Sequence, residues 1–206
     1  MPKTIIFDLD GTLVDIEPLF IRIFNELSAE FGYAPIAPEE LPALKKLHLK
    51  RLIFQRLGWR IIFFPKMLRR GREEYFKLIQ EVNLFPGIDT VIKTLRNEGH
   101  RIGVVSSSEK ATVLALLKKF GIETDFVYQS SLFGKAVILR TVFTEQAVPK
   151  EEAIYVGDEV RDVDACKKVG LAVIAVTWGL NTKEALVETG VETVDTPEAL
   201  LERLRR

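Results

Sequence analysis

Residues 3–16 read Lys3-Thr4-Ile5-Ile6-Phe7-Asp8-Leu9-Asp10-Gly11-Thr12-Leu13-Val14-Asp15-Ile16. A short apolar run stops at an Asp-Leu-Asp-Gly turn, the pattern of a buried strand that ends in a loop. The pattern recurs over 102–105, 126–128, 153–156 and 172–176. Each is a continuous β-branched run rather than an alternating one, as expected of strands covered on both faces. Between them the spacing turns helical. Val91, Ile92 and Leu95 share one face over 89–99, and Val113, Leu116 and Leu117 share one over 109–120. Further helices are expected over 136–146 and 163–169. Gly99, Gly121 and Gly170 stand where such helices commonly terminate. Alternating strands and helices predict an α/β fold on a parallel sheet.

Residues 16–82 carry no strand pattern. Leu19, Ile23, Phe24 and Leu27 give a helical face over 18–30, Pro35 and Pro38 interrupt it, and helical pieces continue to residue 80. A segment of this length is too long for a simple loop. It is expected to be a helical cap, 16–82, inserted into a core formed by 1–15 and 83–206. From Pro42 to Arg72 the insertion holds ten Lys and Arg residues and no Asp or Glu. Such a run is either a solvated face balanced by acids elsewhere or a surface that draws an anionic ligand.

Over all 206 residues, 29 basic side chains balance 29 acidic ones, so no whole-chain attraction to nucleic acid or a membrane surface is expected. The single cysteine, Cys166, excludes an internal disulfide framework. Its spacing from Val163 and Val169 makes it a buried, inert thiol. Met1-Pro2-Lys3 leads directly into the first strand pattern without the features of a signal peptide, so a cytoplasmic location is expected. The apolar runs are too short to span a bilayer.

Asp8 and Asp10 stand beyond the first strand, at the carboxyl end where open α/β sheets place ligands. Two ionised carboxylates in one crevice repel each other unless a cation lies between them, which makes a hard-metal site plausible. The same residues also suit an ordinary turn. A second acidic cluster, Gly157-Asp158-Glu159-Val160-Arg161-Asp162, follows the strand at 153–156. Asp158 is placed to bind a metal, and Asp162 either supports it from behind or caps the next helix. Ser106, with Ser107 and Ser108 behind it, ends another strand, where hydroxyls and free amides can grip a phosphate. Lys135, just before a helix, is a surface lysine or a counter-charge to the acids.

In order and approximate spacing, Asp8 through Asp15, then Ser106, Lys135 and Gly157 through Asp162, resemble the four motifs of the haloacid dehalogenase superfamily. The run from Val156 to Asp162, with Val176-Thr177-Trp178-Gly179, resembles its phosphoglycolate phosphatase branch. The resemblance implies a Rossmann-like core with an inserted helical cap. It also implies a phosphatase in which Asp8 attacks phosphorus to form an aspartyl phosphate and Asp10 serves as acid and then base. Mg²⁺ would be held by Asp8, the backbone carbonyl of Asp10 and Asp158, with Asp162 behind them. Ser106, Ser107 and Lys135 would bind the phosphoryl group. Two positions depart from many relatives: Ala136 follows Lys135 in place of proline, and Ile16 follows Asp15 in place of serine.

Asp10 separates the chemistries that such a protein could perform. Breaking a carbon–halogen bond needs no acid for the departing halide, so an aspartate here favours phosphoryl transfer. A phosphosugar mutase of the β-phosphoglucomutase kind would use the same aspartates. A catalytically silent binding module would tolerate loss of Asp8, Asp10 or Asp158, and none is lost. His48 and His100 have no partnering motif. The expected partner is a small anionic phosphorylated metabolite, with Arg51 or Arg56 of the insertion as readers of a second anionic group. The sequence sets no oligomeric state.

Overall fold

The computed structural model describes residues 3–206. Its strands are β1 (Thr4–Phe7), β2 (Val14–Asp15), β3 (Asn83–Leu84), β4 (Arg101–Ser106), β5 (Phe126–Gln129), β6 (Ala153–Gly157), β7 (Ala172–Val176) and β8 (Glu192–Val194). Six of them form one parallel sheet in the order β5-β4-β1-β6-β7-β8. Ile5 lies between Ile102 and Ile154, so β1 sits at the centre of the sheet. From β1 the chain builds outward through β4 and β5, then returns to β6 on the other side. The carboxyl end of β1 is therefore the point where the topology switches and ligand crevices open.

The helices are α1 (Glu17–Phe31), α2 (Leu41–Leu44), α3 (Leu49–Leu57), α4 (Phe64–Lys77), α5 (Ile88–Asn97), α6 (Lys110–Phe120), α7 (Lys135–Glu145), α8 (Val160–Val169), α9 (Lys183–Val187) and α10 (Pro197–Leu204). Helices cover both faces of the sheet, which explains why its strands are continuously apolar. Ile5 and Phe7 pack in one cluster with Ile92 and Leu95 of α5, Leu116 of α6 and Leu200 of α10. Ile6 turns to the opposite cluster with Leu139 of α7 and Cys166 of α8. Gly121 and Gly170 end α6 and α8 with φ of 63° and 71°, a left-handed conformation costly for side chains with a Cβ.

Helices α1 to α4 lie between β2 and β3, which pair antiparallel as Val14 with Leu84 and Asp15 with Asn83. The chain thus enters and leaves the insertion side by side, close to the end of β1. Leu19, Ile23 and Leu27 of α1 and Met67 and Tyr75 of α4 are buried in the insertion and where it meets the core. The expected parallel strands are all present. The two-residue pair β2–β3 and the short edge strand β8 lacked a readable pattern because each is too brief to show a period. No helix among the described residues is long and apolar enough to cross a membrane.

Candidate active site

Strand β1 delivers Asp8 to the centre of the sheet's carboxyl edge, β4 ends on Ser106, and β6 hands over to Asp158; all three side chains are buried. The Asp8 amide donates to the Val156 carbonyl, extending the ladder one residue past β1. The Leu9 carbonyl then accepts from the amides of Thr12, Leu13 and Val14, closing a tight turn through Gly11 at φ 80°. This turn and the loop after β7 hold Asp158 between them. Its Oδ1 accepts from Thr12 Oγ1 at 2.8 Å and its Oδ2 from the Leu180 amide at 2.7 Å. A Cβ on Gly11 would lie 2.1 Å from Asp158 Oδ2, and one on Gly179 would lie 2.3 Å from it. Only glycine leaves room for the carboxylate at these two places.

Asp8, Asp158 and Asp162 each offer an oxygen within 4.8 Å of the other two. Lys135 Nζ bridges two of them, donating to Asp8 Oδ2 at 2.8 Å and to Asp162 Oδ1 at 2.5 Å. Burial works against the charge on Lys135, but Asp162 and Asp8 outweigh it and hold the ammonium above its usual range. Burial raises the Asp8 carboxyl to about 7 against the lowering pull of Lys135, with Asp162 adding to the rise. Asp158 is pushed well above the carboxylate range by burial, then by Glu159, Asp8 and Asp162.

Counting charges explains the strain on these acids. Asp8, Asp158, Glu159 and Asp162 are buried with Lys135, and the half-buried Arg161 pairs with Glu159. With all four acids ionised, two negative charges would lack a partner, which is why Asp8 and Asp158 resist ionising without a cation. Asp162 Oδ2 is also buried without a hydrogen-bond donor. An all-oxygen donor set, a twofold charge deficit and an unsatisfied buried oxygen fit a hard divalent cation such as Mg²⁺.

Asp10 stands apart from this group. Its Oδ1 accepts from the Tyr75 hydroxyl at 2.5 Å, and its Oδ2 accepts from Ser108 Oγ at 2.6 Å with Ser106 Oγ at 3.5 Å. Ser106 Oγ in turn accepts from the Ser108 amide at 3.0 Å. Ser107 is held from two sides: its hydroxyl accepts from Arg161 Nη2 and its carbonyl from Arg72 Nη2. The aspartates therefore divide into a buried cluster containing Asp8 and a separate, hydrogen-bonded Asp10 that lines the cavity beneath the insertion.

Most of the residues singled out in sequence converge here. Lys135 is a buried counter-charge rather than a surface lysine, and Asp162 turns to Lys135 rather than capping α8. Half of the basic run pairs with acids outside it: Lys45 with Glu17, Arg56 with Glu40, Lys66 with Glu30, Arg69 with Glu73, and Arg70 with Glu30, Glu73 and Glu74. Arg51 is exposed, and neither it nor Arg56 lines the cavity. Arg72, at the end of the same run, does line it. His48 caps the start of α3 and lies 3.3 Å from Asp164. Tyr75 and Asn181 escaped the sequence reading and Arg72 entered it only as the end of the basic run, since helical spacing alone cannot show that Tyr75 and Arg72 reach from the insertion to Asp10 and Ser107. Asn181 carried no motif, yet its amide donates to the carbonyls of Lys45 and Leu47 and so ties the core to the insertion.

Known proteins resemble this chain over most of its length. A family model described as haloacid dehalogenase-like hydrolase matches residues 5–176. The chain is 32% identical over 204 residues to a phosphoglycolate phosphatase from Synechococcus elongatus, covering 97% of this chain and 96% of that one. Among solved structures, a haloacid dehalogenase-like hydrolase from Streptococcus pneumoniae superposes with a TM-score of 0.84 at 23% identity, covering 98% of each chain. CbbY from Rhodobacter sphaeroides, solved in complex with phosphate, superposes with a TM-score of 0.75 at 26% identity, covering 97% of this chain and 96% of that one.

Proposed function

The chain belongs to the haloacid dehalogenase-like hydrolase family, and within it we propose a Mg²⁺-dependent phosphomonoesterase that works through phosphorylated Asp8. The observation that carries the reading is the division of labour between neighbouring aspartates. Asp8 lies in a buried, over-acidic cluster with Lys135, while Asp10 faces the cavity with its carboxylate held by Tyr75 and Ser108.

In the first half-reaction an Asp8 oxygen attacks phosphorus in line with the ester bond, forming the acyl phosphate as the ester oxygen departs. Protonated Asp10 gives its proton to that oxygen, so the alcohol leaves neutral. In the second half, Asp10 takes a proton from water, water attacks phosphorus, and phosphate leaves with Asp8 regenerated. Lys135, beside Asp8, offsets charge on the phosphoryl group, and Ser106 and Ser107 bind its oxygens at the end of β4. Mg²⁺, held by Asp8, the Asp10 carbonyl and Asp158 with Asp162 behind them, would favour the ionised form of Asp8 and offset charge on the phosphoryl oxygens. The insertion acts as a cap over the departing group, linked to the core through Asn181, Arg72 and Tyr75.

The substrate class is a small phosphomonoester, consistent with the phosphoglycolate phosphatases to which the chain is similar. The test is phosphate release from p-nitrophenyl phosphate, phosphoglycolate and a sugar phosphate, with Mg²⁺ or EDTA. Turnover that needs the metal and disappears in Asp8→Asn supports the reading. Failure of every ester to turn over in Mg²⁺ counts against it.

A further inference from the structure

The helical insertion is not packed solid. A cavity of about 290 Å³ runs among α1, α3 and α4 and reaches Asp10 and Ser108 in the crevice. Away from these residues its walls are apolar, formed by side chains such as Phe24, Leu27, Leu52, Ile53, Met67 and Leu68. The polar side chains along it are engaged at its mouth, and of the lining cations only Arg72 lacks an acidic partner. Lys45 is paired with Glu17, Arg161 with Glu159, Tyr75 with Asp10, and Arg72 donates to the Ser107 carbonyl. The Asn181 oxygen accepts from the Val160 amide, and its nitrogen donates to Lys45 and Leu47. A ligand entering from the Asp10 side therefore meets hydrocarbon.

Gly71 adds a second observation. It sits inside α4 on the cavity wall, with no positive φ to require glycine. A Cβ there would lie 3.9 Å from Leu27 Cδ1 and 4.0 Å from Ile23 Cγ2, ordinary contact distances. Alanine would fit and would favour the helix. Glycine at this place keeps the wall recessed where the cavity runs.

We propose that this cavity holds the organic half of the substrate, and that this half is apolar, so that the enzyme hydrolyses the phosphomonoester of an aliphatic or aryl alcohol. The inference rests on the phosphatase reading, which places the ester oxygen at Asp10, where the cavity begins. An apolar void of roughly 150 Å³ accommodates a benzene ring. At about 290 Å³ this cavity has room for roughly six to ten carbon atoms. Arg72, at the Ser107 end, is the one lining cation without an acidic partner; a second anionic group reaching past it, deeper among α1, α3 and α4, would meet hydrocarbon.

The experiment compares kcat/KM in saturating Mg²⁺ for linear alkyl phosphates from ethyl to octyl, beside phosphoglycolate, in the wild type, Gly71→Ala and Gly71→Leu. The expected result is a rise of about three- to fourfold per added methylene until the cavity fills. Hexyl phosphate then exceeds phosphoglycolate. Gly71→Leu lowers the ratio of octyl to ethyl turnover by about tenfold or more, since its side chain occupies the space of several methylenes. Gly71→Ala lowers the ratio less and keeps or raises Tm, and it stands in if the leucine variant does not fold. Turnover of ethyl phosphate or phosphoglycolate with no gain along the series overturns the proposal and leaves the phosphatase reading intact. No turnover of any ester overturns the phosphatase reading, and this proposal with it.

Discussion

The hydroxyl of Tyr75, carried by helix α4 of the insertion, donates a 2.5 Å hydrogen bond to Oδ1 of Asp10, two residues beyond Asp8 in the core loop. The bond fixes the carboxylate proposed as acid and base, and it joins the insertion to the core. Burial, followed by the charge of Asp10, holds the phenol well above its usual range, so Tyr75 remains a donor. Tyr75→Phe should lower kcat roughly tenfold on alkyl phosphates, whose leaving oxygen needs the proton. On p-nitrophenyl phosphate, whose leaving group needs little help, the change should be small. Equal losses on both substrates would mean that Tyr75 supports only the fold.

The excess of buried acids over cations should make the proposed metal site an element of stability. Mg²⁺ should raise Tm and EDTA should reverse the rise, because the cation binds the folded state. Asp158→Asn can still accept from the Leu180 amide while its amide group donates to the Thr12 hydroxyl, so the fold should persist. Without metal this variant should melt above the wild type, where a gain of about 1 kcal/mol reads as roughly 2–4 °C. Mg²⁺ should no longer shift its Tm, and activity should be lost. A Mg²⁺-induced shift as large as that of the wild type would remove Asp158 from the metal site.

Gly179 carries no ligating atom in its side chain, yet it should behave as a metal-site residue. An added Cβ would come within 2.3 Å of both Asp158 Oδ2 and the Gly11 carbonyl. Gly179→Ala should therefore displace Asp158 and weaken Mg²⁺ activation by about tenfold or more. A titration of activity against Mg²⁺ reads this directly. An unchanged half-saturating concentration would show that the cradle yields without cost.

Arg51 and Arg56 attract attention in the sequence as the basic heart of the insertion. Arg51 is exposed and Arg56 is paired with Glu40, and neither reaches the cavity. Arg51→Ala and Arg56→Ala should each leave kcat/KM within about twofold of the wild type, because neither side chain meets the substrate. A selective rise in KM for one substrate would restore either residue as its reader.

Much of this arrangement is legible in the chain because strand and turn chemistry are local. The apolar runs ending in Asp8, Ser106 and Asp158 announce three neighbouring strands whose carboxyl ends carry polar residues, and a parallel sheet leaves few ways to arrange them. Lys135 is different. Its sequence neighbourhood suits a surface helix start, and only the packing of α7 beside α8 brings it between Asp8 and Asp162. The charge run leaves two readings open for the same reason, since the acids that pair with it, Glu17, Glu30, Glu40, Glu73 and Glu74, lie outside it and are assigned only by the fold. Tyr75 and Gly71 read as ordinary helix positions until α1 and α4 are placed together.

The most direct test of the account is to quench a reaction with radiolabelled phosphomonoester in acid during turnover and map the label on the protein. The account predicts a base-labile phosphoryl group on the peptide containing Asp8, formed with Mg²⁺, absent in EDTA and absent in Asp8→Asn, which also releases no phosphate. Phosphate release that continues in Asp8→Asn with no label on the wild-type peptide would contradict it.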